Sequence, residues 1–325
     1  MSTSPPRAAK AARARRRLWR WALGPAATVL VASFAVFTAL SLAPGDPVGR
    51  ILGARATDAQ RTALRHELGL DEPLPLRYVH WLTDCLHGDF GLSIAHRSPV
   101  SELIGARLGT TLFLVGYASL LVVVIGLVLG VLGAVFRPLG PVTAGLSGLG
   151  IAIPSYVAAS ALVTVFALRL EWFPTLGAGS GFGDRVWHLT LPAVSLAVGW
   201  SAYVAQITRT ALREEQSREH VETALGRGVP PAVVFRRHVL RNAALPIITV
   251  TGTLIAGLVA GSVIVETAFG IDGIGSFLVS SVATKDYNVV LAISLLLVVL
   301  FVLITTAIDS LHRVLDPRIR DRRTT

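Results

Sequence analysis

Residues His220–Pro246 read HVETALGRGVPPAVVFRRHVLRNAALP and lie between runs so apolar that they do not belong in water. Arg209–Glu222 is rich in helix formers and continues the apolar run before it. Glu222, Thr223 and Ala224 then lead through Leu225, Gly226 and Arg227 to Gly228, a helix stop that tolerates positive φ. Pro230 and Pro231 restart the chain, because proline is accepted in a first helical turn. Val233, Val234 and Phe235, followed by Arg236, Arg237 and Arg241, predict a basic amphipathic helix that runs through Asn242, Leu245 and Pro246 into the next apolar segment. The expected result is a short helix protruding from a membrane surface on a sharp turn. Another protein can grip such a helix in a groove, charge giving orientation and small Ala and Gly residues allowing close contact. It can equally be a solvated loop whose arginines only enforce topology, and the stretch alone leaves both readings open.

Outward from this stretch, the chain is 52% hydrophobic and 15% charged, with a mean hydropathy of +0.62. Soluble domains carry about a quarter charged residues, so this is a membrane chain. The net charge of +10 does not indicate nucleic acid, because the Lys and Arg residues fill gaps between apolar runs instead of forming a basic face with interleaved aromatics. The single cysteine, Cys85, excludes an internal disulfide and a cysteine-built metal cage and is read as a small buried filler.

A bilayer core of about 30 Å needs roughly 20 apolar residues per helix. Six runs qualify: Trp21–Leu42, Thr110–Val135, Val142–Leu168, His188–Thr208, Ala243–Val265 and Val289–Ile308. The first follows a basic start and ends at Ser41-Leu42-Ala43, which resembles a cleavage site, yet it exceeds the length of a signal core and is read as a retained helix. With the N-terminus inside, twenty of the thirty Lys and Arg residues fall in the N-terminal arm, at Arg137, in the 209–242 loop and in the tail. Both termini are therefore expected in the cytoplasm. Gly126-x-x-x-Gly130 and Gly257-x-x-x-Gly261 allow close helix approach, and Pro154 and Pro192 are expected to kink their spans.

None of the six runs contains Asp, Glu, Lys or Arg, leaving His188 at a span edge as the nearest ionisable group. An ion-coupled carrier needs a group at depth to bind its coupling ion. Neither lysine, Lys10 or Lys285, sits in a phosphate-cradling P-loop, and no H-E-x-x-H or G-x-S-x-G occurs. A transporter built this way is not an enzyme and takes its energy from another subunit.

At this point the residues resemble the membrane subunits of ATP-binding-cassette importers, in the dipeptide, oligopeptide and nickel branch. Glu222-Thr223-Ala224-x-x-x-Gly228 with Leu245-Pro246 matches their cytoplasmic loop pattern, Thr223 replacing the middle Ala. Pro44-Gly45-Asp46-Pro47, Leu68-Gly69-Leu70-Asp71, Gly88-Asp89-Phe90-Gly91, Trp172-Phe173-Pro174, Glu266-Thr267-x-Phe269-Gly270-x-x-Gly273-x-Gly275 and Leu315-Asp316-Pro317-Arg318 look like the first permease of that importer type. The chain departs from the branch at His220, where Tyr is common, and at Glu222 and Leu225, where basic residues are common.

The resemblance implies an all-α polytopic membrane protein with six transmembrane helices and the type I importer permease fold. Its expected parts are a basic cytoplasmic arm (1–20), a first span (21–42), an external region (43–109), a five-helix core (110–308) holding the 209–242 coupling loop, and a cytoplasmic tail (309–325). Glu222–Gly228 would form the coupling helix, supported by Arg236, Arg237, Arg241, Asn242, Leu245 and Pro246. The implied partners are a second homologous permease, two ABC ATPase subunits that bind the ATP and Mg, an extracytoplasmic solute-binding protein and membrane lipid. No nucleic acid is expected, nor any cofactor or metal of the chain's own. The external region, amphipathic around Ala59–Leu68 and bearing Trp81, either meets the binding protein or packs as a lid on the partner permease. The expected function is import of peptides or similar small solutes across the plasma or inner membrane. Nickel or another small solute is the alternative cargo. An ion-coupled carrier or channel and a lipid-bound scaffold are the rival classes.

Overall fold

In a bilayer every backbone N–H and C=O must be satisfied within the chain, so apolar runs of this length become helices. The structure, a computed structural model, describes residues 7–42, 47–52, 56–67 and 69–315. The first six residues of the basic arm, Pro44-Gly45-Asp46, Leu68 and the tail from Asp316 lie outside them. Among the described residues the regular structure is helical, apart from one antiparallel bridge between Leu92 and Pro99.

In chain order the helices are α1 (Arg7–Ser41), α2 (Pro47–Leu52), α3 (Asp58–Glu67), α4 (Leu74–Leu86), α5 (Val100–Val135), α6 (Leu139–Ala152), α7 (Ser155–Leu162), α8 (Gly181–Gln216), α9 (Glu219–Gly226), α10 (Pro231–Val234), α11 (Arg241–Ala268), α12 (Ile274–Ala283) and α13 (Tyr287–Leu315). π-helical turns extend α7 over Val163–Arg169 and join α10 to α11 over Phe235–Leu240. Among the described residues five stretches are long and apolar enough to cross a membrane: Leu23–Ser41, Val100–Val135, Gly181–Gln216, Pro231–Ala268 and Tyr287–Ser310.

The expected kinked span Val142–Leu168 is instead two helices, Leu139–Ala152 and Ser155–Arg169, set at 99° to each other. Ile153 is extended at φ −86° and ψ 112°, which Pro154 favours in the residue before it. Pro154 therefore breaks this run where a kink was expected. Counted as one span, the bent pair brings the total to six.

The described chain falls into two compact units. In the first, Met1–Ile104 with Ser281–Leu303, α4 carries an aromatic cluster: the Tyr78 ring lies 5.6 Å from Phe37 and 6.0 Å from Trp81. Tyr78 Oη and Ser33 Oγ are 2.8 Å apart, tying α4 to α1. The Leu92–Pro99 turn is anchored on Asp286, whose Oδ2 accepts from Ser93 Oγ at 2.6 Å and from the Ala95 amide at 3.1 Å. Cys85 is half buried, and burial together with Asp84 and Asp89 pushes its thiol pKa up to about 12.

In the second unit, Gly105–Ser280 with Ile304–Thr325, α8 packs against α6, α7 and α11. Gly126 and Gly130 let α5 press on α8 as their spacing predicts. A Cβ on Gly126 would stand 2.6 Å from Val204 Cγ1, and one on Gly130 2.5 Å from Thr208 Cβ.

Candidate functional site

The opening stretch forms a compact turn on the end of the bundle. Helix formers run from Arg209 to Glu222 without a break in the sequence, yet α8 stops at Gln216 and α9 starts afresh at Glu219. This corrects the expectation of one continuous helix. Ser217 closes α8 through its amide to Arg213 O, and Arg218, extended at ψ 141°, redirects the chain.

Helix α9 ends as its glycine requires. Gly228 sits at φ +79°, its amide donates to Leu225 O at 2.9 Å, and the Val229 amide donates to Ala224 O at 3.2 Å. This pair of bonds is the Schellman arrangement, with an apolar contact between the residues on either side of the turn. Ala224 and Val229 supply that contact, both packing on a buried cluster of Val221, Leu212, Val234, Val239, Ala243, Ile247 and Ala134. Helix α9 therefore has an inner face, Val221 and Ala224, that joins an apolar cluster shared with α5, α8, α10 and α11. Its outer surface presents Glu222, Thr223, Leu225, Gly226, Arg227 and Gly228, all exposed.

The supporting residues divide. Arg236 and Arg237 are exposed on the π-helical turn, and Arg241 and Asn242 stand in the first turn of α11. Leu245 and Pro246 lie inside α11. Glu215, which the sequence reading passed over, joins these pieces. Its Oε1 accepts from Asn242 Nδ2 at 2.9 Å and lies 3.2 Å from His220 Nε2, while Oε2 is 3.7 Å from Arg218 Nε. One carboxylate at the end of α8 thus touches α9 and the start of α11.

Two arginines counted only for topology are also structural. Arg209 Nη1 donates to Gly140 O at 3.1 Å and Arg213 Nη2 to Gly133 O at 2.9 Å. The Arg213 cation on Gly133 O, in the last turn of α5, complements that end's negative dipole, while Arg209 reaches the first turn of α6.

A second feature opens beside the broken helix. A cavity of about 530 Å³ is lined by Ile153, Ser155, Trp200, Tyr203, Thr249 and Thr253, among others, from the α6–α7 break, α8 and α11. Irregular backbone at membrane depth is tolerated where it is buried in protein or lines a water-filled cavity. Thr249 and Thr253 spend their hydroxyl protons on Leu245 O and Thr249 O, leaving oxygen lone pairs free to accept. The lining carries hydroxyls and aromatic rings and no ionisable group other than the Tyr203 phenol.

One carboxylate departs from the expected charge-free spans. Glu266, one residue past the anticipated end at Val265, lies within α11 and is wholly buried. Its Oε1 accepts from Thr111 Oγ1, and its Oε2 accepts from the Gly275 and Ser276 amides.

The family described as "Binding-protein-dependent transport system inner membrane component" matches residues 122–321, and its N-terminal companion matches residues 15–115. A probable peptide ABC transporter permease protein, y4tP, of Sinorhizobium fredii is 38% identical over 291 residues, covering 88% of this chain and 93% of the relative. The glutathione transport system permease protein GsiC is 37% identical in Salmonella typhimurium and 36% in Escherichia coli K12, covering 92% of this chain and 96% of each. Among solved structures, the MetNI methionine ABC transporter in an inward-facing form aligns with a TM-score of 0.54 at 22% identity, over 66% of this chain and 96% of that one. An amino acid ABC transporter with histidines aligns at 0.53 and 20%, over 66% and 94%. These structural likenesses speak to the fold.

Proposed function

The chain belongs to the family of binding-protein-dependent transport system inner membrane components, and from that membership we propose that it is the permease of an ABC importer for small peptides, driven through α9 by a separate ATPase. The observation that carries this reading is the two-sided α9. Its inner face joins the apolar cluster shared with α5, α8, α10 and α11, so force applied to its exposed outer surface is delivered to that packed cluster. A grooved partner can seat that outer surface, with Glu222 and Arg227 orienting the contact and Thr223, Gly226 and Gly228 admitting close approach.

In this account two permeases pair, each giving one α9 to an ATPase subunit, and a solute-binding protein delivers cargo at the opposite membrane face. ATP and Mg bind to the ATPases. ATP-driven closure of the ATPase pair displaces α9, and the packed helices switch the cavity between faces as a two-state rearrangement. The α9–α10 turn lies in the cytoplasm, as do both termini. The 530 Å³ cavity offers the path, and its hydroxyl acceptors suit amide N–H groups better than they suit ions. Peptide cargo accords with the names of y4tP and GsiC. Uptake of a radiolabelled dipeptide by cells carrying or lacking the chain tests the cargo: uptake that requires the chain and is competed by tripeptide is expected. Uptake indifferent to the chain would refute it.

A further inference from the structure

The motif Glu266-Thr267-x-Phe269-Gly270-x-x-Gly273-x-Gly275 lies outside the coupling account, and its geometry is specific. Helix α11 ends as α9 does: Gly270 has φ +57°, and the Ile271 amide reaches back to Glu266 O at 2.9 Å. The Glu266 side chain then turns the other way, onto the start of α12. Oε2 takes the Gly275 amide at 2.7 Å and the Ser276 amide at 3.0 Å, and Oε1 takes Thr111 Oγ1 at 2.7 Å. Thr111 Oγ1 in turn accepts the Ile274 amide at 2.8 Å. Three of the first amides of α12 are thus satisfied by one carboxylate and one hydroxyl from α11 and α5.

The rest of the motif makes room for this contact. A Cβ on Gly273 would collide with the Glu266 carboxylate, and one on Gly275 would stand 2.5 Å from Val263 Cα. Arg107 adds a second tie from α5, with Nε 2.7 Å from Asp272 Oδ1 and its guanidinium 4.3 Å from the Phe277 ring centre. Every partner within hydrogen-bond distance of the carboxylate is a donor, and the carboxylate stands at the positive end of α12, an arrangement that suits an anion.

The α10–α11 span is 38 residues long, enough to exceed the about 30 Å hydrocarbon core. It begins just after α9 and ends at Ala268, with Glu266 in its last turn. We infer that Glu266 is a positioning residue for transport: it clasps α12 to α11 and α5 at the membrane face opposite the coupling turn, so that movement of α11 started at α9 carries α12 with it. This rests on the proposed permease function and adds to it the part through which the far side of the path is moved.

The test uses the full chain with its co-purifying permease and ATPase subunits in proteoliposomes, with the solute-binding protein supplied on the opposite side. Cys85, the single native cysteine, is replaced by Ser, and spin labels are placed at the exposed Ile264 and Val279. In the wild-type background one narrow interlabel distance is expected, unchanged on adding ATP with vanadate. Glu266→Gln should broaden it and lower ATP-dependent uptake about tenfold or more, as expected when buried amides lose a charged acceptor, with ATP hydrolysis retained. Should Glu266→Gln fail to fold, Thr111→Ser against Thr111→Val decides: the hydroxyl-bearing variant keeps the narrow distance and uptake, and the valine variant loses both. A narrow distance and full uptake in Glu266→Gln, or in Thr111→Val, overturns the inference. Absence of ATP-dependent uptake in the wild type overturns it by another route, through the permease reading. That case is told apart because the label distances still separate wild type from variant.

Discussion

At the scale of single residues, Gly228 and Glu215 bear most directly on α9. Gly228 at φ +79° closes the helix, and an L residue there costs about 1–2 kcal/mol unless its side chain favours the left-handed region. Gly228→Ala should therefore weaken ATP-stimulated uptake several-fold, and Gly228→Asn, whose side chain bonds locally in that region, should restore much of it; uptake assays on the pair check this. Cys85 gives a pH prediction. With the thiol pushed up to about 12 by burial and by Asp84 and Asp89, the uncharged form prevails at neutral pH. Alkylation at pH 8 should run about two orders of magnitude slower than for a free cysteine and rise about tenfold per pH unit from 7 to 9. Asp89→Asn should speed it, and a rate flat in pH would contradict the assignment. Gly228 was legible in the sequence because a glycine between helix formers and Pro-Pro has few other uses. Glu215 was not, because its partner Asn242 lies 27 residues away and nothing local marks the pair. Glu266 was legible only as the head of a resemblance motif and its contacts were not: the apolar run was closed at Val265, and hydropathy cannot show that the next carboxylate has amides waiting for it.

At the scale of elements, the helices follow from the apolar runs, and their contacts follow from small residues. Gly126 and Gly130 face Val204 and Thr208 with no room for a Cβ, whereas Gly116 on the same helix has no heavy atom within 4 Å of the Cβ it would carry. Gly126→Leu or Gly130→Leu should separate α5 from α8 and lower the detergent-solubilised melting temperature by several degrees, and Gly116→Leu should leave it close to wild type. A thermal-shift measurement on the three variants checks this. The existence of these elements was legible and some of their ends were not. Pro154 signalled a disturbance, but whether a proline kinks or breaks a span depends on what packs into the gap, here α8 and α11 around the cavity. The stop at Gln216 runs against the helix-forming residues around it. It goes with the packing of Val221 and Ala224 into the apolar cluster shared with α5, α8, α10 and α11, a tertiary contact that overrides local propensity.

For the whole molecule, membership in the transport family and the two-sided α9 meet in one proposal: the chain does no chemistry of its own and converts a partner's ATP cycle into movement of its helices. The bundle and the pattern leading to Gly228 were readable from composition, spacing and resemblance. The cargo was not, because the cavity displays hydroxyls and rings that many neutral or zwitterionic solutes can use. The most direct measurement is co-purification from mild detergent, followed by mass spectrometry, of tagged wild type, Glu222→Arg and Gly228→Asp. The account predicts that wild type brings down a second permease and P-loop ATPase subunits, and that both variants keep the permease and lose the ATPases. Variants that retain the ATPases, or a wild-type chain that comes down alone, would contradict it.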